Sequence, residues 1–295
     1  MLALGLDIGG TSVKAALLHD GRPLGAARSL PYARPDRDTL LNAARQAAQA
    51  ILESRVPDAV GLCVPGVLDE PSQRITFSAN VPGLVGLELG ALVSGALGQA
   101  PPRPPSLFSD AHAAAHDLWV TESPRPLGRL LAISLGTGVG ASVLDDGAPL
   151  LVSGRSPGHL GQLDVSIHEP GREPPLGPDG SRGGLEAYVG LPALLHRFQC
   201  TPEHIPHKIA ADSIPLLALT RAIRIAHAMF RPNHVRLLGG VGLLLAPCAG
   251  VIKSLTDKDL TSLARPGWTL GFGTSHHHAA RGAARLALLA LARRP

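Results

Sequence analysis

Aromatic residues make up only 3% of this 295-residue chain, so its core has to be built from Leu, Ala and Val. Cysteine is also scarce: Cys63, Cys200 and Cys248 are odd in number and far apart. That pattern excludes a disulfide framework and fits reduced thiols. Long apolar runs are missing, since the most apolar stretch, 237–249, is broken by glycine and proline and is too short to span a bilayer. Charge is thin, with 17% charged residues, a net +4 and no basic run denser than Arg293-Arg294. No nucleic-acid footprint is therefore expected, and no membrane segment. No basic leader precedes the first apolar strand, so a signal peptide is not expected and the expected setting is cytoplasmic.

What is present begins with Leu4-Gly5-Leu6-Asp7-Ile8-Gly9-Gly10-Thr11-Ser12-Val13-Lys14. An apolar strand carries one carboxylate near its end, turns through two glycines and a threonine, and resumes as a second strand. Glycine lets backbone N–H groups approach a polyanion closely, because no Cβ intervenes. Thr11 adds a hydroxyl, and Asp7 can hold a divalent cation through water. A nucleotide phosphate suits such a turn. Lys14 reads as a solvated strand residue rather than a phosphate ligand.

The device is written twice. Residues 130–150 (LLAISLGTGVGASVLDDGAPL) lie without a gap over residues 4–24 (LGLDIGGTSVKAALLHDGRPL). Gly10-Thr11 falls on Gly136-Thr137, Val13 on Val139, Asp20-Gly21 on Asp146-Gly147 and Pro23-Leu24 on Pro149-Leu150. Each copy reads as strand, glycine turn, strand, Asp-Gly hairpin, strand. Two duplicated lobes gripping a phosphate chain make a phosphotransferase design.

Between and after the copies, apolar spacing predicts helices over 38–53 (capped by Asp38 or Thr39), 87–97, 111–119, 185–189, 191–198, 214–230 and 276–293. Strands are predicted over 60–64, 75–77 and 235–238. The proline run 101–105 is a surface loop, and 153–184 an irregular excursion. Cys63 reads as a core residue. His112 and His116 share a helical face at metal-pair spacing, but lack an acidic third ligand.

Several ordered motifs resemble the sugar-kinase branch of the ROK family (repressors, open reading frames and kinases), in its glucokinase-like form. They are Asp7-Ile8-Gly9-Gly10-Thr11, Val64-Pro65-Gly66-Val67-Leu68-Asp69, Ala79-Asn80-Val81-Pro82-Gly83-Leu84, Ser109-Asp110-Ala111-His112, Leu135-Gly136-Thr137-Gly138-Val139-Gly140 and Leu238-Gly239-Gly240-Val241. The resemblance implies an actin-like, hexokinase-type (ribonuclease H-like) α/β fold of two duplicated lobes. The smaller lobe would span 1–108, joined by the C-terminal helix 276–295, and the larger 109–275. It implies transfer of the γ-phosphoryl of ATP, with Mg²⁺, to a hexose hydroxyl, and lobe closure that excludes water. Family members are often homodimers. Family repressors carry a helix-turn-helix domain ahead of the first glycine motif, and no such segment is expected here.

By position alone Asp110 reads first as a plain helix N-cap; the resemblance reverses this and makes it the general base. Ser109 and His112 stand where the family usually has asparagine. Asp7 would accompany Mg²⁺. Gly9, Gly10, Thr11, Gly136, Thr137 and Gly138 would serve the phosphates, and Gly239 and Gly240 the adenosine. Gly66 and Asn80 would meet the sugar. The family's Glu-x-Gly-His stretch aligns with His159-Leu160-Gly161-Gln162, so His159 and Gln162 replace its glutamate and histidine. The positions of the family's zinc ligands hold Gln162, Gly177, Asp179 and Gly184, a set that does not suit zinc. No zinc is expected. The altered loop keeps two alternatives open: a non-catalytic sugar- or nucleotide-binding relative, and a kinase for another acceptor such as an amino sugar or ketose.

Overall fold

The structure, a computed structural model, describes residues 1–69, 72, 74–78, 80–152, 158–264 and 267–292. Ala79, Pro157, residues 153–156 and 293–295, all part of the expectations above, lie outside them. Packing divides the chain into two units, Met1–Leu118 with His277–Pro295, and Trp119–His276.

In the first unit, β1 (Leu2–Ile8), β2 (Val13–His19) and β3 (Arg22–Arg28) form an antiparallel meander. The Asp20-Gly21 turn joins β2 to β3 with φ of 48° and 76°, the backbone of a type I′ hairpin, which Asp-Gly adopts at low cost. β4 (Ala59–Cys63) adds in parallel beside β1, a ribbon of β5 (Val67–Asp69) and β6 (Arg74–Phe77) stands apart, and β7 (Ser106–Phe108) completes the order β3-β2-β1-β4-β7.

β1 alternates large and small side chains, as a strand covered on both faces can. Leu4, Leu6 and Ile8 pack against α1 (Arg37–Leu52) and α2 (Leu89–Leu97). Ala3 on the opposite face, with Ala16 and Leu18 of β2, meets Ala280, Ala284 and Ala287 of the C-terminal helix (His278–Ala292). Helix α1 is capped by Asp36, whose carboxylate accepts the Thr39 N–H at 2.8 Å, rather than by Asp38 or Thr39 themselves. Helix α3 (Asp110–Thr121) starts in this unit. Residues 109–118, expected with the second lobe, pack here because Ala113 and Asp117 face the C-terminal helix.

The second unit repeats the plan. β8 (Arg129–Leu135), β9 (Val139–Asp145) and β10 (Ala148–Pro149) form the antiparallel meander, with Asp146 and Gly147 turning at φ of 45° and 87°. β11 (His234–Leu238) and β12 (Thr269–Phe272) add in parallel, giving the order β10-β9-β8-β11-β12. Even the hairpin tie recurs: the Asp20 N–H bonds the Met1 carbonyl at 2.9 Å, and the Asp146 N–H the Gly128 carbonyl at 3.0 Å.

The helices here are α4 (Glu186–Val189), α5 (Leu191–Phe198), α6 (Ile205–Lys208), α7 (Ile214–Phe230), α8 (Gly239–Leu244) and α9 (Ala249–Lys258). Helix α7 spans the predicted residues and ends where Arg231 turns to φ 47° before Pro232. Leu219 and Ile223 of α7 join Tyr188, Leu131, Ile133, Val235 and Leu237 in an aliphatic core, as the low aromatic content requires. Strand β12 and helices α8 and α9 were not predicted. Thr-Leu-Gly-Phe is too short and glycine-broken to show alternation, and Pro247 interrupts the helical pattern that precedes α9.

Candidate functional site

The glycine turn between β1 and β2 is held from behind. Tyr32 donates its N–H to the Thr11 carbonyl at 2.9 Å and its hydroxyl to the Gly9 carbonyl at 2.7 Å. The Val13 N–H donates to the Ser29 hydroxyl at 3.0 Å, and the Arg28 guanidinium to the Ser12 hydroxyl at 2.7 Å. Within the turn, the Gly9 N–H bonds the Ser12 carbonyl at 3.0 Å. Among the described residues, the N–H groups of Gly10 and Thr11 bond no protein acceptor. The carbonyls of Gly9, Thr11 and Ser12 are thus engaged by the protein, and the N–H groups of Gly10 and Thr11 are left for an anion. Burial, and next the Asp7 charge, push the Tyr32 phenol far up, so it remains a donor.

Asp7 is buried and its carboxylate accepts from Lys14 Nζ at 2.9 Å. The two residues face each other across the β1–β2 ladder. Lys14, expected on a solvated face, is therefore the partner of Asp7. On the other side of β1, Asp7 stands opposite Cys63 of β4. Asp110 opens α3 close by, and its carboxyl is pushed up by desolvation first and by the Asp7 charge second, with Lys14 opposing. The residue nonetheless keeps surface exposed to solvent. Burial, and then the charges of Asp7 and Asp110, raise the Cys63 thiol well above its usual range, which makes it a poor nucleophile. Cys63 is a core residue, as predicted.

Gly66 follows β4 with φ 125°, and a Cβ there would be forced against the Phe77 carbonyl. Only glycine suits that position. Asn80 is half-buried in the bend before Val81. His112 and His116 lie on α3; burial lowers both, His116 to about 4. Among the described residues, no set of three His, Cys, Asp or Glu side chains converges as a metal would need.

In the second unit the Gly136 N–H bonds the Gly138 carbonyl at 2.9 Å, closing the matching turn. Glu186, at the head of α4, accepts the Val139 N–H at 2.8 Å. A Cβ on Gly138 would stand 2.9 Å from its Oε2, and one on Gly161 3.3 Å from the same oxygen. This carboxylate therefore lies where the glycine turn meets the 160–162 turn that carries Gln162. Desolvation raises it, the Val139 N–H chiefly offsets that, and the Asp179 charge and His159 follow with smaller effects of opposite sign. His159 and Gln162 are both exposed. Gly239, at φ 78°, packs on the Leu135 carbonyl beside Gly136, while the Cβ direction of Gly240 is open. The second unit thus brings Gly138, Gly161, Val139 and His159 to Glu186, with Gly239 packed on Leu135 beside Gly136. The first brings Asp7, Gly9 and Asp110 to Lys14.

The excursion that follows is tied by hydrogen bonds. Leu185 donates to the Leu163 carbonyl at 3.0 Å and Val165 to that of Gly183 at 2.9 Å. Asp179 accepts from the Ser181 hydroxyl at 2.7 Å, and Glu169 takes both guanidinium arms of Arg197 at 2.7 and 3.0 Å. Gly184 would set a Cβ 3.8 Å from the Gln162 Cα, and Gly177 one 2.7 Å from an Asp179 carboxylate oxygen. The donors there are one amide, one engaged carboxylate and two glycines.

Sequence reasoning passed over Tyr32 and Glu186, and read Lys14 as solvated. Lys14 was open to discovery, because a hairpin that turns at 9–12 sets 14 opposite 7. Glu186 carried no local signal beyond its place before Ala187-Tyr188.

A model of the ROK family matches residues 3–290. The N-acetyl-D-glucosamine kinase of Escherichia coli O1:K1 / APEC is 28% identical over 267 residues, covering 87% of this chain and 81% of that relative. A ROK hexokinase structure from Thermus thermophilus superposes with a TM-score of 0.73 at 24% identity, covering all of both chains. A ROK family glucokinase from Streptomyces griseus, solved with glucose and AMPPNP, gives 0.76 at 21% identity over 98% of this chain and 100% of that one.

Proposed function

The chain belongs to the ROK family, and on that footing we propose that it is an ATP-dependent sugar kinase with Asp110 as general base. The observation that carries this reading is one constellation in the first unit. A glycine turn leaves its N–H groups for an anion, beside a buried Asp7 and an Asp110 whose carboxyl is raised. Phosphoryl transfer to an alcohol needs donors for phosphate oxygens, a carboxylate to accept the hydroxyl proton, and charge neutralisation. A carboxyl raised from its ordinary range accepts that proton more readily near neutral pH.

In this mechanism Gly10 and Thr11, with Thr137 and Gly138, donate to the phosphate chain, while Gly9 and Gly136, whose N–H groups are spent inside their own turns, let the backbone approach it. Gly239 and Gly240 let the nucleoside lie against backbone. Gly66, Asn80, His159, Gln162 and Glu186 bond sugar hydroxyls and orient the acceptor toward Asp110. Asp110 takes the proton as the acceptor oxygen attacks the γ-phosphorus in line. Mg²⁺ is the metal that this chemistry implies, and the Asp7 carboxylate fits it, through water, since Mg²⁺ takes one or two carboxylates along with water and phosphate oxygens and Asp110 is kept free as the base. When bound, it neutralises phosphate charge. Zinc does not fit Gln162, Gly177, Asp179 and Gly184, and no step runs through it.

For the acceptor we infer a hexose, in keeping with a glucokinase-like enzyme. An N-acetylated hexosamine is the second reading, favoured by His159 in place of a carboxylate and by relatives named N-acetyl-D-glucosamine kinases. A coupled ADP-release assay with ATP and Mg²⁺ across hexoses and N-acetylhexosamines separates the two. Turnover on one sugar, lost in Asp110→Asn, is the expected result. A flat panel from protein that still binds ATP would replace the kinase with a binding protein.

A further inference from the structure

The C-terminal helix touches backbone at three glycines. A Cβ on Gly5 of β1 would collide with the Ala280 carbonyl, one on Gly61 of β4 with that of Ala283, and one on Gly282 with the Ala113 carbonyl of α3. The helix is therefore wedged between the sheet and α3 with no side chain to cushion either contact. Cys63, Ala113 and Ala283 close the small core where the three elements meet.

Beside this wedge lies a buried ionic knot. Asp117 of α3 has no exposed surface. One of its oxygens meets His278 Nδ1 at 2.8 Å and the other accepts from Arg285 Nε at 2.8 Å. Arg285 also donates to the Gly21 carbonyl at 2.6 Å, in the β2–β3 hairpin turn. Helix α3 and the C-terminal helix thus share one carboxylate, and Arg285 carries the tie on to the hairpin turn. The chain leaves the first unit after Leu118 and re-enters it at His277, so Asp117 and His278 stand beside the exit and the return.

On α3, residues 110, 113 and 117 fall on one stripe, at spacings of three and four. Ala113 is pinned to the C-terminal helix by backbone contact and Asp117 by charge. Two fixed points on one stripe set the rotation of the helix, and hence the direction of the side chain at 110. The same helix rests on Gly5 and Gly61, two residues before Asp7 and Cys63. The spacing of Asp7 and Asp110 is therefore transmitted through the C-terminal helix.

We propose that Asp117, with His278 and Arg285, is a positioning residue that holds Asp110 in its working place and fastens the exit of the chain to its return. This rests on the reading of Asp110 as the base. The test compares Asp117→Asn, His278→Gln and Arg285→Lys by hydrogen exchange and by steady-state kinetics, well below their melting temperatures. Asp117→Asn is expected to lose protection in α3 and the C-terminal helix while α7 is unchanged. Its kcat is expected to fall about 10- to 100-fold with KM for sugar and ATP nearly constant, the signature of a misplaced catalytic group. Arg285→Lys, which keeps a charged donor, is expected to retain most of kcat; His278→Gln, which removes one partner of Asp117, carries the test if Asp117→Asn fails to fold, with the same fall in kcat at constant KM expected and a wild-type kcat overturning the role.

A folded Asp117→Asn with wild-type kcat, whatever its melting temperature, would overturn the positioning role. Unchanged exchange in both helices would overturn the fastening. An active Asp110→Asn would refute the base and the positioning role with it, and the exchange pattern would still tell that failure from a failure of the knot.

Discussion

Lys14 Nζ donates to the Asp7 carboxylate at 2.9 Å, across the hairpin that carries the first glycine turn. The ammonium stands 3.9 Å from where a Cβ on Gly9 would lie, so it backs the turn as well as the carboxylate. Replacing it with Met keeps the stem and removes the charge. Asp7, 6% exposed, is then left without this donor, at a cost of about 1–3 kcal/mol. Lys14→Met is expected to lower the urea midpoint accordingly and to reduce kcat/KM for ATP. Lys14→Arg, which can still reach a carboxylate, is expected to be the milder variant. Equal midpoints for Lys14→Met and wild type would show that the pair contributes nothing.

Tyr32 offers a cleaner change. Tyr32→Phe removes one hydroxyl and leaves the Gly9 carbonyl without its 2.7 Å donor, while the Tyr32 N–H to Thr11 bond stays. A turn whose carbonyls are less firmly held presents its N–H groups less well. A loss of about 1 kcal/mol is expected, or roughly fivefold in KM for ATP. KM for the sugar should not move, and isothermal titration with a non-hydrolysable ATP analogue reads the nucleotide affinity directly.

How much of this was legible beforehand follows from where each signal lies in the chain. The duplicated meander could be read because Asp-Gly pairs mark hairpins locally, and both pairs turn with positive φ. Helix α7 could be read because a long apolar period ends at Arg231-Pro232. The Lys14–Asp7 pair needed only the register of a predicted hairpin. The Asp117–His278–Arg285 knot could not be read, since Asp117 lies more than 160 residues from both its partners and each looks like an ordinary helical residue. Glu186 is similar: it reaches the 136–139 turn only because α4 packs on the sheet.

His116 in the first unit and His227 in the second are both lowered to about 4, chiefly by burial. In the unfolded chain a histidine binds its proton near pH 6.5. Between that value and about 4 the unfolded state holds more protons, so stability falls as pH falls through this window and levels off below it. Each histidine is expected to cost about 1–3 kcal/mol over the window. Urea titrations at pH 7.5, 6, 5 and 4 check this, and His227→Phe should flatten the acid limb.

The wedge under the C-terminal helix makes the sharpest stability prediction, because two effects of opposite sign meet at Gly282. Ala in place of Gly inside a helix normally stabilises by about 1 kcal/mol. Here the added methyl would be driven into the Ala113 carbonyl, a backbone atom that cannot swing aside. Overpacking a close contact costs about 1–3 kcal/mol or more, so the steric term wins. Gly282→Ala is expected to be destabilising, and Gly5→Ala and Gly61→Ala more so, since strand glycines gain no helix propensity to offset the clash. Gly240→Ala is the control, because nothing stands within 4 Å of its Cβ direction. Urea midpoints decide: if Gly282→Ala matches or exceeds wild type, the helix is not seated on α3 by backbone contact, and the route by which it sets Asp110 fails with it.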